Sequence, residues 1–145
     1  AVAMSPDPRF PRPAPGPVEA PFWEWCRRGE LRLQRCGDCG RWRHHPRPRC
    51  PACRSPRYFW ERASGRASVY SFTVCYPPVL PAFAEAVPYV AVVVRLEEGP
   101  FMVSHLLDCP PEAVEVGMEV ELAMVPVDEE LVLPYFRPTA APAPR

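Results

Sequence analysis

The chain has 145 residues, enough for one domain or a small core with a minidomain. No apolar run approaches the roughly 20 residues of a membrane-spanning helix, so a membrane-embedded class is excluded on composition. Its net charge of zero hides an asymmetry: residues 27–66 carry twelve arginines against three acids (+9), while the remainder carries five arginines against fourteen acids (−9), with no lysine anywhere.

The first segment, residues 1–20, is rich in proline and reads as extended linker. Its stretch SPDPRFPRPAPGPVEAP, continuing to residue 21, offers little to bury. Residues 1–30 lack the basic, apolar, cleavable pattern of a signal peptide, so a cytoplasmic location is expected. PFWEWCRRGEL, residues 21–31, opens on a proline suited to a first helical turn and closes near Gly29, a natural helix stop. Phe22, Trp23 and Trp25 overload one face of so short a helix, and they are expected to pack on the domain or on a partner. LRLQR, residues 31–35, alternates as a strand, and RYFWERA, residues 57–63, reads as a second.

Between these strands lies CGDCGRWRHHPRPRCPAC, residues 36–53. Cys36 and Cys39 form one CxxC turn and Cys50 and Cys53 another. Two such turns bring together four thiolates, the soft tetrahedral set that a structural zinc ion takes. Iron fits the same set. A disulfide pairing would need an oxidising compartment, and a redox CxxC would not explain two pairs. His44 and His45 are alternative ligands in principle, but with four cysteines in register they are expected in the loop. Cys26, Cys75 and Cys109 are scattered and read as ordinary buried or half-buried thiols.

After Gly65 the periodicity changes to two. RASVYSFTVCY (66–76), PYVAVVVRLE (88–97), PFMVSHLLD (100–108), MEVELAMVPV (118–127) and ELVLPYF (130–136) are five strand candidates at short spacing. Five strands, read as antiparallel throughout, predict a mainly β fold: an N-terminal helix and zinc ribbon over 21–63, then a five-stranded OB-type Greek-key barrel over 64–137. Residues 138–145, PTAAPAPR, read as a flexible tail. The loop over 75–89 is unusual because it carries Val79, Leu80 and Phe83. Loops are normally polar, so this one is expected to cover a barrel end or to meet a ligand or partner.

FWEWCRRGELRLQRCGDCGRWRHHPRPRCPACRS, SGRASVYSFTV, PYVAVVVRLEEGP and VGMEVEL together resemble the zinc-ribbon/OB-fold proteins grouped as domain-of-unknown-function family thirty-five. The likeness covers most of residues 21–136. It implies a rubredoxin-like ribbon followed by an OB barrel, with zinc as structural cofactor. It also implies acyl-CoA metabolism, because members of this family accompany thiolase-like enzymes or acyl-CoA hydratases. The steroid side-chain branch, with a thiolase-like, lipid-transfer-protein-like aldolase as partner, is the first expectation. The assembly expected is two partner chains with two copies of this domain, the linker joining it to a hydratase-type domain. On that reading Arg41, Arg43, Arg47 and Arg49 are candidate contacts for the CoA phosphates. Phe22, Trp23, Trp25, Val79, Leu80 and Phe83 are the candidate partner interface.

No catalytic residue is assigned. The tetrathiolate site leaves no open coordination position for water. His105 and Asp108, three apart on a strand, would point to opposite faces. The runner-up reading is a module that binds single-stranded nucleic acid, since OB folds and zinc ribbons both serve there and arginines beside Trp42, Tyr58, Phe59 and Trp60 suit bases and phosphates. Against it, basic residues on the barrel strands are scarce beyond Arg66 and Arg95.

Overall fold

In a computed structural model, residues 11–140 are described; what the sequence suggests for 1–10 and 141–145 lies outside them. The first element among the described residues is a helix, α1 (Ala20–Arg27), carrying Pro21 in its first turn. It ends two residues before Gly29, the stop that the sequence suggested. The reason is Gly29, whose φ of 82° takes the chain out of the helix while its amide donates to Cys26 O. Phe22 and Cys26, four apart and therefore on one face, are the buried residues of α1.

The ribbon follows as a three-stranded antiparallel sheet in the order β2-β1-β3, built from β1 (Arg32–Cys36), β2 (Trp42–Arg43) and β3 (Tyr58–Arg62). The barrel comprises β4 (Arg66–Cys75), β5 (Tyr89–Leu96), β6 (Phe101–Leu106), β7 (Glu119–Pro126) and β8 (Val132–Pro138), closed in the order β4-β5-β6-β8-β7. The five expected strands are all present. Their pairing is not antiparallel throughout: β6 meets β8 in parallel, through Leu106 and Phe136. Closure requires this, because β7 crosses over to pair with β4 and leaves β8 beside β6.

Two local devices explain the pattern of β4. Its register with β5 slips between Val69 and Ser71, a bulge that pushes Tyr70 outward, where it is 58% exposed. Val69 is therefore buried, and half-buried Phe72 and Val74 continue against the core after the slip. That is why both alternating sets in this strand are rich in apolar residues. Before β4, Gly65 adopts φ 84°, accepts a hydrogen bond from the Leu122 amide, and leaves a Cβ only 3.2 Å from Leu122 Cβ. A side chain there would meet both strain and crowding.

One apolar cluster joins the parts. Phe22 and Cys26 of the helix and Leu31 and Leu33 at the base of the ribbon pack in the same core as Val92, Val94, Val120 and Phe136 of the barrel. Residues 11–20 also differ from a simple linker: Arg12 donates to both carboxylate oxygens of Asp128, at 2.7 and 3.1 Å. At the other end, Pro138 closes β8 and the Thr139 amide donates to Glu119 O, so ordered pairing extends past the expected tail boundary.

Candidate metal centre and adjoining cavity

Cys36 ends β1, Cys39 follows in the turn, and Cys50 and Cys53 bracket the turn before β3. All four Sγ atoms lie within 4.8 Å of one another. Cys36 and Cys53 are 3.5 Å apart, Cys39 and Cys50 3.6 Å. The amides of Cys39 and Asp38 point at Cys36 Sγ, each at 3.4 Å. They hold its pKa down at about 6. Cys50 is lowered in the same way, first by the Cys53 amide. At Cys53 the Ser55 amide favours the thiolate, but the neighbouring sulfurs, Cys36 foremost, and burial outweigh it and push the pKa up to about 11. Four thiolates at this spacing repel one another, and a cation at their centre removes the repulsion. Donor type, number and spacing all fit tetrahedral zinc.

A buried amide organises the loop around this centre. Gln34 is fully buried, and its Oε1 accepts from Arg43 Nε at 2.8 Å and from the Arg47 amide at 2.7 Å. Arg43 is 6% exposed, donates Nη2 to Arg47 O, and lies 4.9 Å from the Tyr58 ring centroid. The expectation that Arg43 meets a ligand phosphate is therefore corrected: its guanidinium is turned inward and fixes the ribbon loop. Arg49 is exposed and donates to Arg54 O. Arg41 and Arg47 are exposed and, among the described residues, form no ion pair. Both border a groove of about 600 Å³ that also touches Trp42, His45 and Phe101. Glu98 borders it too, with its Oε2 taken up by the Ser64 amide.

Through His44 and His45 this groove adjoins a second, more apolar cavity of about 590 Å³ between the ribbon loop, α1 and the outer faces of β5, β6 and β8. One wall is an aromatic cluster: Phe22 lies 5.1 Å from Trp23 and 5.3 Å from His44, which lies 4.2 Å from His45. The facing wall is a ladder of four rings. Phe83 lies 5.6 Å from Tyr89, Tyr89 stacks on His105 at 5.0 Å, and His105 stacks on Tyr135 at 4.8 Å. Burial, with the neighbouring His45 charge, lowers the His44 pKa to about 4, and burial lowers that of His105. Pro11, Arg12 and Pro13 close one side.

The expected interface residues thus divide. Phe22 is 4% exposed and belongs to the core, a correction that follows from its place on the inner face of α1. Trp25 is covered by the guanidinium of Arg32, 4.1 Å from its ring centroid. Trp23 and Phe83 line the cavity. Val79 is half-buried, while Leu80 is 61% exposed and stands beside exposed Tyr76 on the same loop. His105 faces tyrosines rather than a carboxylate, and Asp108 lies beyond the end of β6. Sequence reasoning missed Gln34, the Tyr89–His105–Tyr135 ladder and the Arg12–Asp128 pair. Each depends on pairing between distant segments, which no single strand pattern carries.

Two family models match the chain: a ChsH2 rubredoxin-like zinc ribbon domain over residues 23–58, and a ChsH2 C-terminal OB-fold domain over residues 60–125. A solved structure, an "Ltp2-ChsH2(DUF35) aldolase", contains a chain 40% identical to this one, aligned over 89% of this chain and 100% of that one with a TM-score of 0.83. The chain belongs to the DUF35 zinc-ribbon/OB-fold family. Its cofactor is the structural zinc of that ribbon, held by Cys36, Cys39, Cys50 and Cys53. A DUF35 domain-containing scaffold protein of Methanothermobacter thermautotrophicus is 36% identical over 71% of this chain and 77% of its own length. A probable enoyl-CoA hydratase alpha subunit of Thermomonospora curvata is 41% identical over 88% of this chain. A 3-oxo-4,17-pregnadiene-20-carboxyl-CoA hydratase alpha subunit of Mycobacterium tuberculosis is 36% identical over 79% of it. The chain spans 40% and 36% of the lengths of those two hydratase subunits. No helix among the described residues is long and apolar enough to cross a membrane.

Proposed function

We propose that this chain is a non-catalytic accessory domain that docks on a thiolase-like aldolase and forms part of its acyl-CoA channel, two copies on a partner homodimer. The observation that carries this reading is the adjacency of two voids. An apolar cavity suited to an acyl group adjoins, at His44 and His45, a groove bordered by Arg41 and Arg47, which form no ion pair among the described residues and suit the phosphates of coenzyme A. The likeness to the Ltp2-ChsH2(DUF35) aldolase chain supports an aldolase as the partner. The name of the mycobacterial relative supports a steroid CoA thioester as the acyl donor, with a hydratase domain joined to this one. The ribbon contributes Arg41 and Arg47 to the ligand, and the loop between β4 and β5 contributes the exposed Tyr76 and Leu80 to the docking surface. The barrel favours this over a nucleic-acid module: the cavity against β5, β6 and β8 is lined mainly by apolar and aromatic side chains, with Arg12 its one arginine.

The test is reconstitution with the partner recovered from the native host. Tyr76→Asp combined with Leu80→Asp is expected to abolish the complex in light scattering while zinc and fold persist; full assembly by that variant would overturn the docking surface. Arg41→Glu with Arg47→Glu is expected to raise KM for the CoA ester more than it lowers kcat, since the phosphates sit far from the reacting carbon. An unchanged KM in an intact complex would remove the phosphate groove.

A further inference from the structure

His105 sits at an unusual place for a histidine that does no catalysis. Both faces of its ring are covered, by Tyr89 at 5.0 Å and 11° and by Tyr135 at 4.8 Å and 15°, so only the ring edge remains to interact. Its Nδ1 is buried without a hydrogen-bond partner among the described residues. A sealed N–H without an acceptor is rarer and costlier than a sealed lone pair, which places the proton on Nε2. Burial disfavours the imidazolium, so at neutral pH the ring is a neutral donor. The ring borders the 590 Å³ cavity, whose volume falls in the range of small-molecule sites and whose facing walls are both aromatic.

We propose that His105 presents Nε2–H to this cavity as the specificity-determining contact for a carbonyl oxygen on a flat, apolar, multi-ring ligand. A slot between two aromatic walls fits a rigid ring system better than a folded chain, and a rigid body loses less freedom on binding. The Tyr89 and Tyr135 rings hold the imidazole edge in one orientation, so the donor is aimed before the ligand arrives. An oxygen-free ring system gains the apolar contacts and leaves the donor unmet, which is how the site tells the two apart. The inference rests on the channel reading for the source of the ketone, the acyl group of a CoA thioester.

The test uses the zinc-loaded 145-residue chain with fluorenone, a flat tricyclic ketone, and fluorene, the same skeleton without the oxygen. His105→Phe keeps an aromatic ring in the stack and removes the donor. It is expected to weaken fluorenone binding roughly three- to tenfold and to leave fluorene binding unchanged. Equal losses for both ligands, or no binding of either by the unmutated chain, overturns the proposal. A readout that needs no variant is the carbonyl stretch of bound fluorenone, expected at lower frequency than in hexane; an unshifted stretch overturns it as well. Ala91→Trp fills the cavity from β5 and is expected to exclude both ligands; unchanged binding would place them elsewhere and sink the assignment. Light scattering with the partner separates the two readings. Assembly without fluorenone binding refutes this inference alone, and fluorenone binding without assembly supports it while refuting the docking.

Discussion

The barrel closes five strands around Val69, Val92, Val94, Val120 and Phe136, none more than 1% exposed, whereas the ribbon sheet buries Leu33 beside an amide, Gln34, and leaves Phe59 48% exposed. The same chain therefore uses two kinds of cohesion. The barrel depends on apolar area removed from water, spread over many side chains. The ribbon depends on four thiolates and on hydrogen bonds from Arg43 and Arg47 to one buried glutamine. Distributed cohesion tolerates a single loss better than cohesion gathered at one ion.

The largest expected effect follows directly. Cys36→Ser or Cys50→Ser should release the metal and unfold residues 31–61, because the binding free energy of such a site, about 10–16 kcal/mol in zinc-finger peptides, is folding free energy. Elemental analysis should show zinc lost, and amide exchange should show protection lost in β1 and β3 but kept in β5 and β6. Simultaneous loss in β5 and β6 would break the comparison, making ribbon and barrel one cooperative unit through Leu31, Leu33 and Phe22.

The converse perturbation is smaller. Phe136→Ala removes a side chain with no exposed surface from the strand that closes the barrel, at a cost of about 3–5 kcal/mol. Chemical denaturation should show a lower midpoint with the slope retained, and the zinc should stay bound in the folded protein. Zinc release from the still-folded variant would mean that the ribbon leans on the barrel more than its own ligands suggest.

How much of this was legible in the sequence follows the same division. The thiolate set was legible because two CxxC turns are local, and local spacing survives in one dimension. The five strands were legible because alternation is local too. What pairs across the chain was not. The parallel contact of β6 with β8 follows from barrel closure rather than from either strand. Arg43 looked like one more surface arginine, and only Gln34, nine residues earlier on the neighbouring strand, turns it inward. Phe83 reads as a loop residue left for a partner until Tyr89 is placed beside it. The bulge at Tyr70 hid the true phase of β4 by letting both faces look apolar.

The smallest expected effect concerns the segment that sequence composition assigned to a linker. Arg12 and Asp128 are both exposed, so their pair holds residues 11–13 against the barrel without contributing measurably to the fold. Arg12→Ala should leave the melting temperature unchanged and increase proteolysis near residue 12, opening that side of the cavity. The pH dependence has a definite sign. Hydrogen bonds from Arg12, with the Glu130 and Leu131 amides, lower the Asp128 pKa to about 2, below the roughly 3.9 of a free aspartate. A carboxylate with a depressed pKa favours the paired state above its free value, and that preference is lost as pH falls through the lower one. Proteolysis near residue 12 should therefore stay slow at neutral and mildly acidic pH, and an acid-stable protease should find the site opening between about pH 4 and pH 2. Equal cleavage of wild type and Arg12→Ala at neutral pH would show that the prolines, rather than the ion pair, hold this segment, and the distinction between linker and fold would then move toward residue 11.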